Sequence, residues 1–115
     1  MILCIGDATI ALRVRKPLLT EKGHNVLMAS SGEQALEVFK QNSVDLVIAD
    51  HFRTDKTGTE IAREMKELKP GVPSLILSAA AEKPAGRQFV DGFLEKGELP
   101  EVMLDTIARL LAEFQ

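Results

Sequence analysis

Four polar residues that could bind a divalent metal ion and a phosphoryl group each follow an apolar, strand-like run in this sequence. They are Asp7, Asp50, Ser78 and Lys96. Carboxylate oxygens are ligands that Mg²⁺ prefers, whereas a hydroxyl and an ammonium group can donate hydrogen bonds to phosphoryl oxygens. If the four runs are parallel strands, their carboxyl ends lie at one edge of a sheet, where ligands of open α/β proteins bind. The spacing therefore predicts one phosphoryl-binding site.

Asp50 is the most informative of these residues because it ends the run 45–50, DLVIAD. The continuous apolar residues inside this run are typical of a parallel strand that is buried on both faces. A carboxylate at its end is a candidate nucleophile, since it can attack phosphorus and form an acyl phosphate. The plainer alternative, that Asp7 and Asp50 only cap the ends of strands, stays open.

The rest of the chain alternates between predicted strands and predicted helices. The predicted strands are Ile2–Ile5, Val26–Ala29, Asp45–Ala49, Ser74–Leu77 and Phe89–Leu94. The first predicted helix covers Ala8–Lys22, with apolar Ile10, Val14 and Leu18 at helical spacing, a kink or break at Pro17 and a stop at Gly23. The other predicted helices are a stretch after the caps Ser30 and Ser31, then Gly58–Lys69, and a stretch from Pro100. Five strands with helical crossovers predict a three-layer α/β sandwich.

Composition and charge predict one soluble domain over residues 1–115 and argue against several functions. The net charge of −3 disfavours direct nucleic-acid binding, and the basic cluster Arg13, Arg15 and Lys16 is predicted to be a solvated helix face. No apolar stretch is long enough to span a membrane. The single cysteine, Cys4, is predicted to be a core residue and fits a cytoplasmic location.

With its strand ends placed, the chain resembles the receiver domain of two-component response regulators. Residues 2–7 look like the opening strand and its acidic pair, and Asp50 matches the phosphoacceptor. Gly58 stands at the spacing of the family's downstream glycine, Ser78-Ala79 match the switch hydroxyl and its small neighbour, and Lys96 matches the phosphate-binding lysine.

The resemblance implies a flavodoxin-like fold with sheet order 2-1-3-4-5 and a phosphoryl group received on Asp50 from a sensor histidine kinase or a phosphotransfer protein. It implies Mg²⁺ or Mn²⁺ bound by Asp7, Asp50 and the backbone carbonyl of Phe52. Ser78 and Phe93 would form the switch that a downstream protein senses, and a homodimer is compatible with the family. Such a domain is a signalling module rather than an enzyme, although it promotes its own phosphorylation and slow dephosphorylation.

The sequence also departs from the family pattern. Gly6 replaces an acidic residue, which predicts weaker metal binding, Thr54 stands where a proline is usual, and Gly97 replaces the proline that would favour a cis peptide bond. The segment between Ser78 and Lys96 is about one turn short, because Pro84 and Gly86 interrupt it. This shortening predicts that the fourth helix of the family is shortened or missing.

Two further expectations concern phosphorylation itself. Phe52 and Ala80 offer no hydrogen bonds to a hydrolytic water, which predicts a long-lived phosphorylated form. The main alternative is a pseudo-receiver that acts as an interaction module without phosphorylation. An aspartyl phosphatase is disfavoured because no separate general acid is evident, and a flavin or dinucleotide binder is disfavoured because no glycine-rich loop follows the first strand.

Overall fold

The computed structural model describes residues 1–6, 15–50, 57–78, 89–95, 97 and 99–114. The strands are β1 (Ile2–Ile5), β2 (Val26–Ala29), β3 (Leu46–Asp50), β4 (Ser74–Ser78) and β5 (Gly92–Glu95). The helices of the described residues are α1 (Lys16–Glu21), α2 (Gly32–Gln41), α3 (Gly58–Leu68) and α4 (Pro100–Glu113). The segment 79–88, where a shortened helix was predicted, lies outside the described residues.

All five strands form one parallel sheet in the order β2-β1-β3-β4-β5, which confirms the predicted topology. The central strand is β3, and each of its residues is buried, as its continuous apolar run predicts. In the register, Ile5 of β1 pairs with Ala49, and Asp50 pairs with Leu77 of β4. The carboxyl ends of the three middle strands therefore lie at one edge.

Helices cover both faces of the sheet, and each face has its own hydrophobic core. One core contains Leu3, Ile5, Val47, Ala49 and Ile76 of the sheet with Ala35 and Phe39 of α2 and Ile61, Ala62 and Met65 of α3. The other contains Ile2, Cys4, Leu46, Ile48, Leu75 and Leu77 with Leu19 of α1 and Ile107 and Leu110 of α4. Alternate residues of each strand enter opposite cores, which gives the predicted three layers.

Side-chain caps fix where α2 and α3 begin. The Ser31 hydroxyl accepts a hydrogen bond from the Gln34 amide at 3.0 Å, and the Gln34 side chain accepts one from the Ser30 amide at 2.8 Å. This pattern confirms the predicted cap. Thr57 plays the same part for α3, where it accepts from the Glu60 amide at 3.2 Å. Each such cap typically stabilises a helix by about 1 kcal/mol.

The end of α1 follows from one glycine. Pro17 is the first or second residue of α1 within the described part of the chain, whereas residues 7–14, with Ile10, Val14 and the first part of the predicted helix Ala8–Lys22, lie outside the described residues. Gly23 adopts a φ of +88° just after the helix and donates to the Thr20 carbonyl at 2.9 Å, so the predicted stop is confirmed. Leu19 is the fully buried residue of α1, and Leu18 is half-buried.

Strand β5 begins at Gly92, so the predicted start at Phe89 is wrong. The Phe89 ring instead lies against the Arg63 guanidinium, whose Cζ is 5.4 Å from the ring centroid. Asp91 ends this irregular stretch, because its Oδ2 accepts hydrogen bonds from Lys66 Nζ at 2.7 Å and from the Ser74 amide at 2.9 Å.

Within the described part of the chain, no helix is long and apolar enough to cross a membrane.

Candidate functional site

Asp50 lies at the carboxyl end of the central strand and is almost fully buried, with 6% of its surface exposed. Gly6 follows β1 on one side of it, and Ser78 ends β4 on the other. Ser78 is also buried, and it pairs in register with Glu95 of β5. Parallel strand ends therefore bring Gly6, Asp50 and Ser78 to the same edge of the sheet.

Three of the predicted site residues, Asp7, Phe52 and Lys96, lie outside the described residues, and so does Ala80. Their roles stay predictions from the sequence. The peptide bond between residues 96 and 97 also lies outside the described part, whereas Gly97 itself has a φ of +92°. This left-handed backbone favours glycine at that position.

Phe93, the predicted switch aromatic, lies in β5 and pairs in register with Ile76 of β4. Its side chain is half-buried and packs against the core that α2 and α3 cover. The ring therefore lies on the opposite face of the sheet from Leu94, which packs against the α1 and α4 side. The switch role of Phe93 stays a prediction.

Among the described residues, the charged partner of Asp50 is Arg15, which the prediction from the sequence missed. Arg15 Nη2 donates a hydrogen bond to Asp50 Oδ1 at 2.7 Å, and only 6% of Arg15 is exposed. Arg15 stands just before α1 and four residues before the buried Leu19, so both side chains lie on the helix face that meets the sheet. The prediction of a solvated basic face is therefore wrong for Arg15, although the neighbouring Lys16 is exposed. Arg13 lies outside the described residues.

Gly6 provides the space in which Arg15 and Asp50 meet. A Cβ atom built on Gly6 would collide with Asp50 Oδ2, and it would lie 3.2 Å from Asp50 Cγ and 3.5 Å from Arg15 Nη1. Both the carboxylate and the guanidinium therefore lie against the Gly6 backbone. Any side chain at position 6 must displace the carboxylate of Asp50.

The ion pair leaves one buried donor without a partner. Arg15 Nη1 is buried and has no hydrogen-bond partner among the described residues. A buried unpaired donor is costly, since it has lost its hydrogen bond to water and gained none in return. The guanidinium therefore compensates the charge of Asp50 while both N–H groups of Nη1 stay available to a further acceptor.

Cys4 lies beneath this ion pair in β1 and is fully buried, as predicted. Burial raises the pKa of its thiol from the ordinary 9.0 to about 11, the nearby positive charge of Arg15 opposes that rise, and the negative charge of Asp50 adds to it. The thiol therefore stays protonated at neutral pH, which excludes a reactive thiolate there.

The described residues do not fit a divalent cation as they are arranged. Oδ1 of Asp50 is bound by a guanidinium, whose positive charge repels a second cation at the same carboxylate. No group of three or more His, Cys, Asp or Glu residues that could hold a metal ion occurs within the described ranges. A metal ion could use Asp50 Oδ1 only after the pair with Arg15 has opened.

Two features of the sequence could have pointed to this pair. The first is the missing acidic residue at Gly6, which leaves room and one negative charge fewer beside Asp50. The second is that Arg15 lies four residues before Leu19 in a helix that Gly23 ends, so that the two side chains lie on the same helix face. The prediction missed this pair because it assigned Arg15, together with Arg13 and Lys16, to a solvated basic face.

Comparison with known proteins identifies the family. Residues 2–108 match the family described as the response regulator receiver domain. The chain belongs to this family. Among solved structures, a response regulator receiver domain protein from Clostridium thermocellum shares 29% identity, with a TM-score of 0.88 over 97% of this chain and 94% of that one. The response regulator TrrA from Thermotoga maritima, in complex with Mg²⁺ and BeF, shares 25% identity, with a TM-score of 0.86 over 95% of this chain and 96% of that one.

This receiver also resembles segments of longer curated proteins. It is 33% identical to the transcriptional regulatory protein GlrR of Escherichia coli over 83% of this chain and 22% of that protein. It is 34% identical to the autoinducer 1 sensor kinase/phosphatase LuxN of Vibrio campbellii over 83% of this chain and 12% of that protein. The receiver therefore spans about a fifth or less of the length of these two relatives.

Proposed function

We propose that this receiver, over residues 1–115, accepts a phosphoryl group on Asp50 and thereby changes a surface that a downstream protein binds. The proposed donor is a sensor histidine kinase or a phosphotransfer protein. The observation that carries the proposal is the position of Asp50 at the carboxyl end of the central strand, beside the Ser78 strand end. Membership of the receiver family and the similarity to the TrrA complex with Mg²⁺ and BeF support it.

The proposed chemical step is a displacement at phosphorus. A carboxylate oxygen of Asp50 forms a bond to the phosphorus atom, while the bond between phosphorus and the donor's histidine nitrogen breaks and leaves its electron pair on that nitrogen. Such transfers need charge neutralisation and alignment more than covalent assistance. In this proposal the Ser78 hydroxyl and the Lys96 ammonium group contact phosphoryl oxygens.

The proposed metal ligands of the active receiver are Asp7, Asp50 and the backbone carbonyl of Phe52. Mg²⁺ supplies charge neutralisation at a phosphoryl group when it is bound, and Mn²⁺ is expected to substitute for it. In this proposal the metal ion displaces the Arg15 guanidinium from Asp50 Oδ1, so that the ion pair opens when the metal ion binds.

We propose a slow return to the unphosphorylated form, since Phe52 and Ala80 offer no hydrogen bonds to an attacking water. Replacing Phe52 by asparagine should speed the loss of the phosphoryl group severalfold, measured by intact mass after the donor is removed. Equal decay rates for the parent and the F52N variant would contradict this expectation. A cytoplasmic location and a homodimer also remain proposals, the first supported by the lone buried Cys4.

A time course of intact mass tests the proposed function. The parent protein, with Mg²⁺ and acetyl phosphate, should gain the mass of one phosphoryl group, whereas the Asp50→Asn variant should gain none. A second chemical donor, phosphoramidate, extends the test to a P–N bond like that of phosphohistidine. No gain from either donor, in protein whose circular dichroism shows a folded sheet, would overturn the proposal.

The second candidate function is a phosphorylation-independent interaction module, and one observation favours it. The buried pair between Arg15 and Asp50 gives the carboxylate a permanent partner and holds it away from other cations. In that case the pair only stabilises the fold. The mass experiment discriminates the two functions, since a module of this kind stays unmodified with every donor.

A further inference from the structure

We propose that Arg15 is a resident cation of the phosphoacceptor site, which competes with divalent metal ions for Asp50 and binds a phosphoryl oxygen through its unpaired Nη1. The competition concerns metal binding alone. The phosphoryl contact rests on the proposed function. The two parts therefore have separate readouts.

The geometry supports a built position for the guanidinium. Arg15 Nη2 lies 2.7 Å from Asp50 Oδ1, and both residues are more than nine-tenths buried. A surface arginine that met the carboxylate by chance would keep much of its side chain in water. The absence of a Cβ at Gly6 is what allows both groups to lie there, because a Cβ would collide with Asp50 Oδ2.

Arg15 competes with a metal ion for two reasons: its positive charge, and its hydrogen bond to Asp50 Oδ1. A divalent cation bound to Asp50 would share the carboxylate with a positive guanidinium, and the two cations would repel each other in a buried site where screening is weak. The metal would also have to replace the hydrogen bond to Oδ1. We therefore expect the parent to bind divalent ions more weakly than a variant in which residue 15 is neutral.

The unpaired Nη1 points to the second part of the role. It is buried, it has no acceptor among the described residues, and it lies 3.5 Å from the position that a Cβ of Gly6 would take, on the side of Gly6 where the Asp50 carboxylate lies. A phosphoryl group on Asp50 would bring three acceptor oxygens to this position. Because Nη2 donates to Asp50 Oδ1, the N–H groups of Nη1 are the ones that would bind a phosphoryl oxygen, and hydrogen bonds from a charged guanidinium to phosphate are among the strong ones.

A metal titration tests the competition. Isothermal titration with Mn²⁺ compares the parent with Arg15→Met and with Lys16→Met, a matched control at the exposed neighbouring cation. Arg15→Met should bind Mn²⁺ at least tenfold more tightly than the parent, and Lys16→Met should bind like the parent. Asp50→Asn should remove the tight site from Arg15→Met. Affinities of the parent and Arg15→Met within twofold of each other would overturn the competition.

A measurement on the parent protein covers the case in which the variant does not fold. In protein labelled with ¹⁵N-arginine, saturating Mg²⁺ should shift the Arg15 Nε resonance toward that of a solvated guanidinium, because the pair with Asp50 opens. Arg15→Gln provides a second neutral variant of similar length. An Arg15 resonance that stays unchanged while the amide of Asp50 shifts with Mg²⁺ would overturn the competition.

The metal dependence of phosphorylation tests the phosphoryl contact. The initial rate with acetyl phosphate is measured with Mg²⁺ and with excess chelator, in the parent and in Arg15→Met. In excess chelator, where no metal ion competes for Asp50, the rate of Arg15→Met should be at least tenfold lower than that of the parent, since the variant has lost its resident cation. Equal rates in chelator would overturn the phosphoryl contact. A parent that gains no phosphoryl group under either condition would overturn the proposed function, and the Mn²⁺ titration would still decide the competition.

Discussion

Gly6 and Asp50 are packed so closely that the carboxylate of Asp50 occupies the position that a side chain at residue 6 would need. A Cβ on Gly6 would lie 3.2 Å from Asp50 Cγ and closer still to its Oδ2. The glycine that replaces the family's usual acidic residue therefore does more than remove a metal ligand. It creates the contact surface on which Asp50 and Arg15 form their buried ion pair.

Replacing Gly6 by alanine should destabilise the protein by about 1–3 kcal/mol, because the added methyl group forces the Asp50 carboxylate out of its position and strains its ion pair with Arg15. Urea denaturation measures this loss. Gly71→Ala is a suitable control, since nothing lies within 4 Å of a Cβ at Gly71, and it should change stability by less than about 0.5 kcal/mol. Equal effects of the two substitutions would show that the space at Gly6 is not restricted.

Removing Arg15 while Asp50 remains should cost about 3–5 kcal/mol, since it leaves a buried carboxylate without its partner. The same substitution, Arg15→Met, should cost clearly less in an Asp50→Asn background. The double-mutant cycle, measured by urea denaturation at neutral pH, should therefore give a coupling energy of about 1–3 kcal/mol. Effects that add to within about 0.5 kcal/mol would contradict an energetic coupling between the two residues.

The buried thiol of Cys4 predicts a specific loss of stability in alkali. Its pKa is about 11 in the folded protein and near 9.0 when the thiol is solvated. Between these values the unfolded chain releases the thiol proton and the folded one keeps it, so stability should fall as the pH rises from about 9 to 11, by up to about 1.4 kcal/mol per pH unit. Below pH 9 this contribution should be constant.

Cys4→Ala isolates this effect, because the variant shares every other titrating group with the parent. The stability difference between parent and Cys4→Ala, measured by urea denaturation, should shrink steadily above pH 9. A difference that stays constant up to pH 11 would mean that the thiol ionises as readily in the folded protein as in the unfolded chain.

Asp91 holds the start of β5 to β4 and α3. Its Oδ2 accepts from the Ser74 amide at 2.9 Å and from Lys66 Nζ at 2.7 Å. Asp91→Ala should therefore cost about 1–3 kcal/mol, because it leaves the amide of the buried Ser74 without an acceptor, and it should speed hydrogen exchange at that amide. Asp105→Ala, at an exposed position on α4, is the matched control and should leave the Ser74 exchange rate unchanged.

The sheet could be predicted from the sequence because its strands are short apolar runs with polar residues at their carboxyl ends. Those runs gave the order of the elements, and the resemblance gave the order of the strands. The start of β5 could not be predicted in this way. Phe89 and Val90 look like strand residues, but the contact of Phe89 with Arg63 and the hydrogen bonds of Asp91 keep the ladder from starting before Gly92.

The ion pair at the site could not be predicted for a different reason. Arg15 and Asp50 are 35 residues apart, and a charge in a basic cluster is usually a solvated one. Only the three-dimensional packing shows that Arg15 lies on the buried face of its helix, above Leu19. The glycine in place of an acidic residue at position 6 was visible in the sequence. The sequence does not show that the Arg15 side chain lies beside Asp50 as a result.

Locating the phosphoryl group tests the central claim most directly. The protein is treated with acetyl phosphate and Mg²⁺, the acyl phosphate is reduced with borohydride, and tandem mass spectrometry then identifies the residue that has been reduced. The account predicts that the label lies on Asp50 alone, in the parent and in Lys16→Met alike. A label on Asp7 or another carboxylate, or none in folded protein, would contradict it.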